Sequence, residues 1–140
     1  MKKTLFFIIL TIMAVVFNGC KNKDNAENPL VGNWVIIGEQ AGYAMRFEGV
    51  EFYLNFQNNG KMVQYLYGGK YTEAVWNNGV LSGESWIPYE TYIWNTNGST
   101  ISFSPEFWGM NQVEYKKVND DVIIIEGMAL GRVKQLVTTK

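Results

Sequence analysis

Val50-Glu51-Phe52-Tyr53-Leu54-Asn55-Phe56-Gln57, followed by Asn58-Asn59-Gly60, is the stretch whose pattern decides the class of the fold. Val50, Phe52, Leu54 and Phe56 fall on one side and Glu51, Tyr53, Asn55 and Gln57 on the other, the period of a strand buried on one face. The Asn-Asn-Gly that follows is hairpin chemistry, because Asn and Gly accept the positive φ that a tight turn between twisted strands requires. The same grammar recurs along the chain. Asn59-Gly60, Asn78-Gly79 and Asn97-Gly98 stand nineteen residues apart, and no stretch from Leu30 onward has helical periodicity.

Working outward, Leu30 to Gly38 reads as a strand, then a longer connection from Glu39 to Gly49, then Val50 to Gln57. Lys61–Tyr67, Lys70–Trp76, Val80–Trp86, Tyr89–Trp94, Ser99–Ser104, Val113–Val118, Val122–Glu126 and Arg132–Thr138 follow, separated by turn residues. Ten short strands in a meander, of which two can fuse or fray, give eight to ten. Closure into an antiparallel up-and-down barrel removes the two edges an open meander would expose. A β-sandwich is the alternative. In a meander alternate turns share an end, so the three Asn-Gly turns and Asn119-Asp120-Asp121 are expected at one closed end. The longer connections, with Tyr43, Met45, Phe47, Trp86, Tyr89, Phe107, Trp108, Met110 and Met128, gather at the opposite mouth. Aromatic side chains on loops over a rigid scaffold make Tyr43, Phe47, Trp86, Tyr89, Phe107 and Trp108 the candidate binding residues. Packing of the small barrel's interior is the competing use of the same aromatics, above all for Trp34, Phe52, Phe56 and Trp76.

Composition excludes several functions. The chain has 140 residues, enough for one domain, with 47% hydrophobic and 15% aromatic residues. Outside the two N-terminal lysines, 10 basic and 13 acidic side chains give a net charge of −3, no footprint for nucleic acid. Histidine is absent, which removes the commonest general base and the commonest zinc ligand. No phosphate loop, CxxC, HExxH or Gly-x-Ser-x-Gly occurs, and no pair among Glu84, Glu90, Glu106 and Glu114 is singled out by spacing as a hydrolytic couple. Asp120-Asp121 lacks the oxygen-rich surroundings of a calcium loop. No catalytic residues, metal or cofactor are expected, and the protein is read as a non-enzyme.

The first residues carry a different signal. Met1-Lys2-Lys3 is a basic start, and Leu5 to Phe17 is a thirteen-residue apolar run, short for a membrane span and right for an export signal. It ends at Gly19-Cys20, the only cysteine. This arrangement resembles a bacterial lipoprotein signal. The resemblance implies diacylglycerylation of the Cys20 thiol and cleavage before it, leaving Cys20 as the lipidated first residue, with palmitate among its acyl chains. Lys21 after the cysteine implies the outer membrane. The domains are then residues 1–19 as signal, 20–29 as lipidated cysteine and solvated tether, and 30–140 as the barrel.

Gly32-Asn33-Trp34 at the first strand resembles the Gly-x-Trp of lipocalins. Together with Leu30 before it, the preceding cysteine signal, and Phe56-Gln57-Asn58-Asn59-Gly60 after it, the chain looks like a lipocalin-like lipoprotein of Bacteroidota, a calycin-type barrel. The resemblance implies that Trp34 plugs the closed end. It implies a small apolar or amphipathic ligand inside the barrel, with Arg132 on the last strand as a grip for a ligand carboxylate if it points inward. Arg132 and Lys134 share a face with Leu136, and the solvent-facing alternative is open for both. The other expected function is an envelope or surface interaction module that meets a glycan or protein, in the manner of inhibitor-like lipoproteins.

Overall fold

The structure, a computed structural model, describes residues 28–39 and 46–139. Eight strands close into an antiparallel barrel: β1 (Gly32–Glu39), β3 (Phe52–Phe56), β4 (Lys61–Tyr67), β7 (Trp86–Asn97), β8 (Thr100–Phe107), β9 (Met110–Lys117), β10 (Val122–Ile125) and β11 (Met128–Val133). Their order around the wall is β1-β11-β10-β9-β8-β7-β4-β3. This is the all-β up-and-down barrel that the alternation and the Asn-Gly turns led us to expect, and it is consistent with the lipocalin-like form that the resemblance implied. The signal segment, Cys20, the tether as far as residue 27, and Tyr43 lie outside the described residues.

The barrel is not the whole domain. β2 (Arg46–Glu48), β5 (Val75–Asn77), β6 (Val80–Gly83) and β12 (Gln135–Thr138) form a second sheet in the order β12-β6-β5-β2, with β12 parallel to β6. Here the structure departs from a simple meander. β4 pairs directly with β7, and the β5–β6 hairpin between them in sequence is extruded onto the outside of the wall. The physical reason lies in β1 and β11, which are apolar on both faces. Trp34 faces inward and Val35 and Ile37 face out, as do Ala129 and Val133 of β11. Those outward side chains would be left in water by a barrel alone, and the second sheet buries them under Trp76 and Leu81. β3 is likewise covered on both sides, so Tyr53 is buried rather than solvent-facing.

Gly131 makes the contact between the layers possible. A Cβ there would stand 2.7 Å from Trp76 Cζ2, so the missing side chain is the seat of the indole. Trp76 Nε1 then donates to the Arg132 carbonyl at 3.1 Å, which keeps its polar atom satisfied.

Inside, the barrel is aromatic and closely packed. Phe56 meets Trp94 edge-on at 5.1 Å, Tyr92 meets Phe107 edge-on at 5.2 Å, and Phe103 bridges Phe56, Tyr92 and Phe107. These belong to one cluster that runs from Leu30 and Trp34 at one end to Phe107 at the other. An eight-stranded barrel is just wide enough for its own side chains to fill it.

Candidate functional site at the barrel mouth

The two ends of the barrel are built differently. Asn59-Gly60 and Asn97-Gly98 close β3–β4 and β7–β8 at the end where residues 28–31 lead in, and Asn28 Nδ2 reaches Thr96 Oγ1 there at 3.1 Å. Asn78-Gly79 belongs to the outer sheet but arrives at the same end. Its Gly79 carbonyl accepts from the Lys134 amide at 2.7 Å, and Lys134 Nζ pairs with Asp121 at 2.9 Å.

Trp34 lies at this end, fully buried, and its Nε1 donates to the Leu30 carbonyl at 2.8 Å. Burying one indole removes about 150–250 Å² from water, worth roughly 4–6 kcal/mol. Arg132 lies on the interior side of β11, its guanidinium 4.3 Å from the Trp34 ring centroid. Its Nε donates to the Asp120 carbonyl at 2.7 Å, Nη1 to Val31 at 2.9 Å and Nη2 to Pro29 at 2.8 Å. The side chain is therefore committed to three backbone carbonyls, and it fastens the lead-in segment and the 119–121 turn over the tryptophan.

At the mouth the β7–β8 ladder stops at Ile93↔Ser104, and the β8–β9 hairpin tip leans over the opening. Trp108 stacks on Phe107 at 4.3 Å and meets Phe52 edge-on at 5.5 Å, so a side chain from one wall reaches β3 on the other. Trp108 and Gly109 have φ of 51° and 74°, the two positive values of a two-residue turn. Such a backbone is uncommon for a bulky residue and costs about 1 kcal/mol or more. Trp108 is 44% exposed, and around it the mouth end also exposes Tyr71 (90%), Ile87 (54%) and Tyr89 (65%). Below them on the inner wall is Gln64, the one buried polar side chain among the described residues, and its cross-strand neighbour is the exposed Glu90. Glu90 accepts from the Tyr92 hydroxyl at 2.8 Å. Burial, and then that hydrogen bond and charge, push the Tyr92 phenol up to about 12.

The expected binding residues thus separate into three groups. Tyr89, Phe107 and Trp108 are together at the mouth, though Phe107 is buried beneath Trp108. Phe47 and Trp86 are strand residues of the outer wall rather than mouth loops. Phe47 sits opposite Trp76, and Trp86 packs on Tyr53 and Tyr67 with its indole N–H buried and without a hydrogen-bond acceptor. Arg132 is at the opposite end. Tyr71 and Ile87 were not singled out in the sequence. Tyr71 read as part of a strand, where the chain in fact makes an irregular loop after Gly68-Gly69.

Clefts among the described residues lie outside the barrel. One of about 620 Å³ lies at the closed end between the sheets, floored by Ile37 and Trp76 and rimmed by Asn78, Asp121, Arg132 and Lys134. One of about 460 Å³ borders the loop around Tyr71, with Glu51, Tyr67 and Glu73. A third, about 390 Å³, lies under Pro29 beside Lys117 and Asp120. No group of three or more His, Cys, Asp or Glu side chains among the described residues is placed to hold a metal ion. Compared with protein-family models, curated proteins and solved structures, the chain finds no match.

Proposed function

We propose that this protein is a lipid-anchored binding module of the bacterial cell envelope that meets a glycan or protein partner with the mouth end of its barrel. The observation that carries the reading is Trp108, a large aromatic held at positive φ and left half in water at the tip of a hairpin. Backbone strain of this kind persists where a side chain has a task, and Asn or Gly would suit the turn better. Tyr71, Ile87 and Tyr89 make the same end the richest in exposed apolar side chains, a composition that suits recognition. The lead-in segment 28–31 is at the other end, so a tether from Cys20 would hold this face outward.

The anchor is part of the same proposal. Lys2-Lys3, the apolar run and the lone Cys20 support lipidation, and two or more acyl chains hold a protein on a bilayer durably. An alkyne fatty acid fed to expressing cells should label the full chain and fail to label the Cys20→Ala variant. Binding is tested by presenting the mature domain to arrays of envelope and host glycans and to purified extracellular proteins. Trp108→Ala and Tyr89→Ala should lose the captured partner while the far-UV spectrum is unchanged. Capture retained by both variants would sink the reading.

A second reading, a small apolar or amphipathic ligand in the barrel, draws support from the buried Gln64 and Tyr92, whose hydroxyl donates to the exposed Glu90. It requires the Phe103–Phe107–Trp108 stack to open, and a ligand retained in native mass spectrometry of the purified domain would favour it.

A further inference from the structure

Beside the mouth, one half-buried carboxylate organises an entire loop. Glu84 follows β6, and its Oε1 accepts from the Tyr71 amide at 3.0 Å, the Thr72 amide at 2.6 Å and Thr72 Oγ1 at 2.9 Å. Its Oε2 accepts from the Lys70 amide at 3.0 Å. Three successive backbone N–H groups converging on one anion form a nest. The Tyr67 hydroxyl completes the clamp, donating to the Thr72 carbonyl at 2.7 Å and accepting from the Glu84 amide at 3.2 Å. The residue at the centre of this nest is Tyr71, the most exposed large apolar side chain among the described residues.

We infer that Glu84 is a positioning residue: its carboxylate locks the backbone of the Lys70–Thr72 loop and so fixes the place from which Tyr71 is presented at the mouth surface. This rests on the reading of the mouth as the contact face. A loop whose backbone is ordered in advance does not have to be ordered on binding, which spares that part of the entropy cost. The lock depends on charge, because a neutral carboxyl is a weaker acceptor for several converging N–H groups. The Lys70 amide first, then the Thr72 hydroxyl and the Thr72 and Tyr71 amides, hold the Glu84 carboxyl below its ordinary value. The other ionisable groups nearby are Lys70, Tyr71 and Glu73 on the loop, Tyr67 from β4 and Glu51 before β3, and none of their charged atoms forms an ion pair with Glu84 among the described residues. The lock is therefore present above the ordinary carboxylate range and is lost as pH falls through the lowered value.

The test is amide hydrogen exchange on the mature protein, which needs no partner and so succeeds or fails independently of what the mouth binds. Protection of the Lys70, Tyr71 and Thr72 amides at neutral pH should fall roughly ten-fold or more in Glu84→Gln, with β4 and β8 unchanged. In the wild type the same three amides should lose protection as pH falls below the ordinary carboxylate range, while the barrel keeps its own. A second variant, Thr72→Val, should loosen the loop by less. Unprotected amides in the wild type, or equal protection in Glu84→Gln, would overturn the inference.

Discussion

The Arg132 guanidinium lies 4.3 Å above the Trp34 ring and spends its N–H groups on the carbonyls of Pro29, Val31 and Asp120. A residue that reads from sequence as a ligand grip or as a solvent-facing cation is instead the fastening of the closed end. Arg132→Ala should cost about 2–3 kcal/mol, from the lost cation–π contact and the charge-assisted hydrogen bonds. Arg132→Lys should recover only part, since an ammonium cannot reach three diverging carbonyls as a planar fork does. Urea unfolding with an unchanged m-value would verify the loss as one of stability.

The second sheet should be as sensitive as the barrel. Gly131→Ala places a methyl 2.7 Å from Trp76 Cζ2 and 3.1 Å from Ile37 Cγ2, inside contact distance of both. Overpacking of this kind costs about 1–3 kcal/mol. Trp76→Phe in the same background should relieve part of the clash, so the two substitutions should couple in a double-mutant cycle rather than add. Simple additivity would mean that Trp76 does not rest on Gly131.

How much of this was legible in sequence follows from where the information is local. The barrel was readable because the alternation in Val50–Gln57 and the Asn-Gly turns are local properties of backbone and solvent. The second sheet was also written there, in the doubly apolar Val35-Ile36-Ile37, but a run with apolar residues on both faces says only that something covers it. That the cover is the β5–β6 hairpin is a long-range fact of the β4–β7 pairing. Pro105–Gln112 read as a longer loop and Gly127–Gly131 as a bend, where the chain makes two-residue turns at Trp108-Gly109 and Glu126-Gly127, because the first residues of those turns, at φ of 51° and 49°, are not types that favour positive φ. Phe107 and Trp108 were found as a pair, yet only the fold tells that one fills the barrel and the other caps it.

Two tyrosines should titrate late. Burial, followed by the neighbouring Tyr65, pushes Tyr53 up to about 12, and burial and Glu90 bring Tyr92 to about 12 as well. Because the folded values are raised, their contribution to stability is intact below about pH 10, where the unfolded chain's phenols begin to ionise, and is lost as pH climbs toward 12. Ultraviolet absorbance of phenolate should show two of the eight tyrosines ionising only as the barrel unfolds in base. Replacing both with Phe should flatten that part of the stability profile.

The central claim is that the mouth, with Trp108 and Tyr89, is the face that meets a partner. It is tested most directly by placing the photo-crosslinking residue p-benzoylphenylalanine at single positions in the full chain and irradiating intact expressing cells. Trp108 and Tyr89 sample the mouth, Ser102 the exposed outer wall of β8, and Asn97 the closed end. Adducts of one defined mass from the Trp108 and Tyr89 positions, with none from Ser102 or Asn97, are the expected result. Adducts from Asn97 or Ser102 with none from the mouth would contradict it.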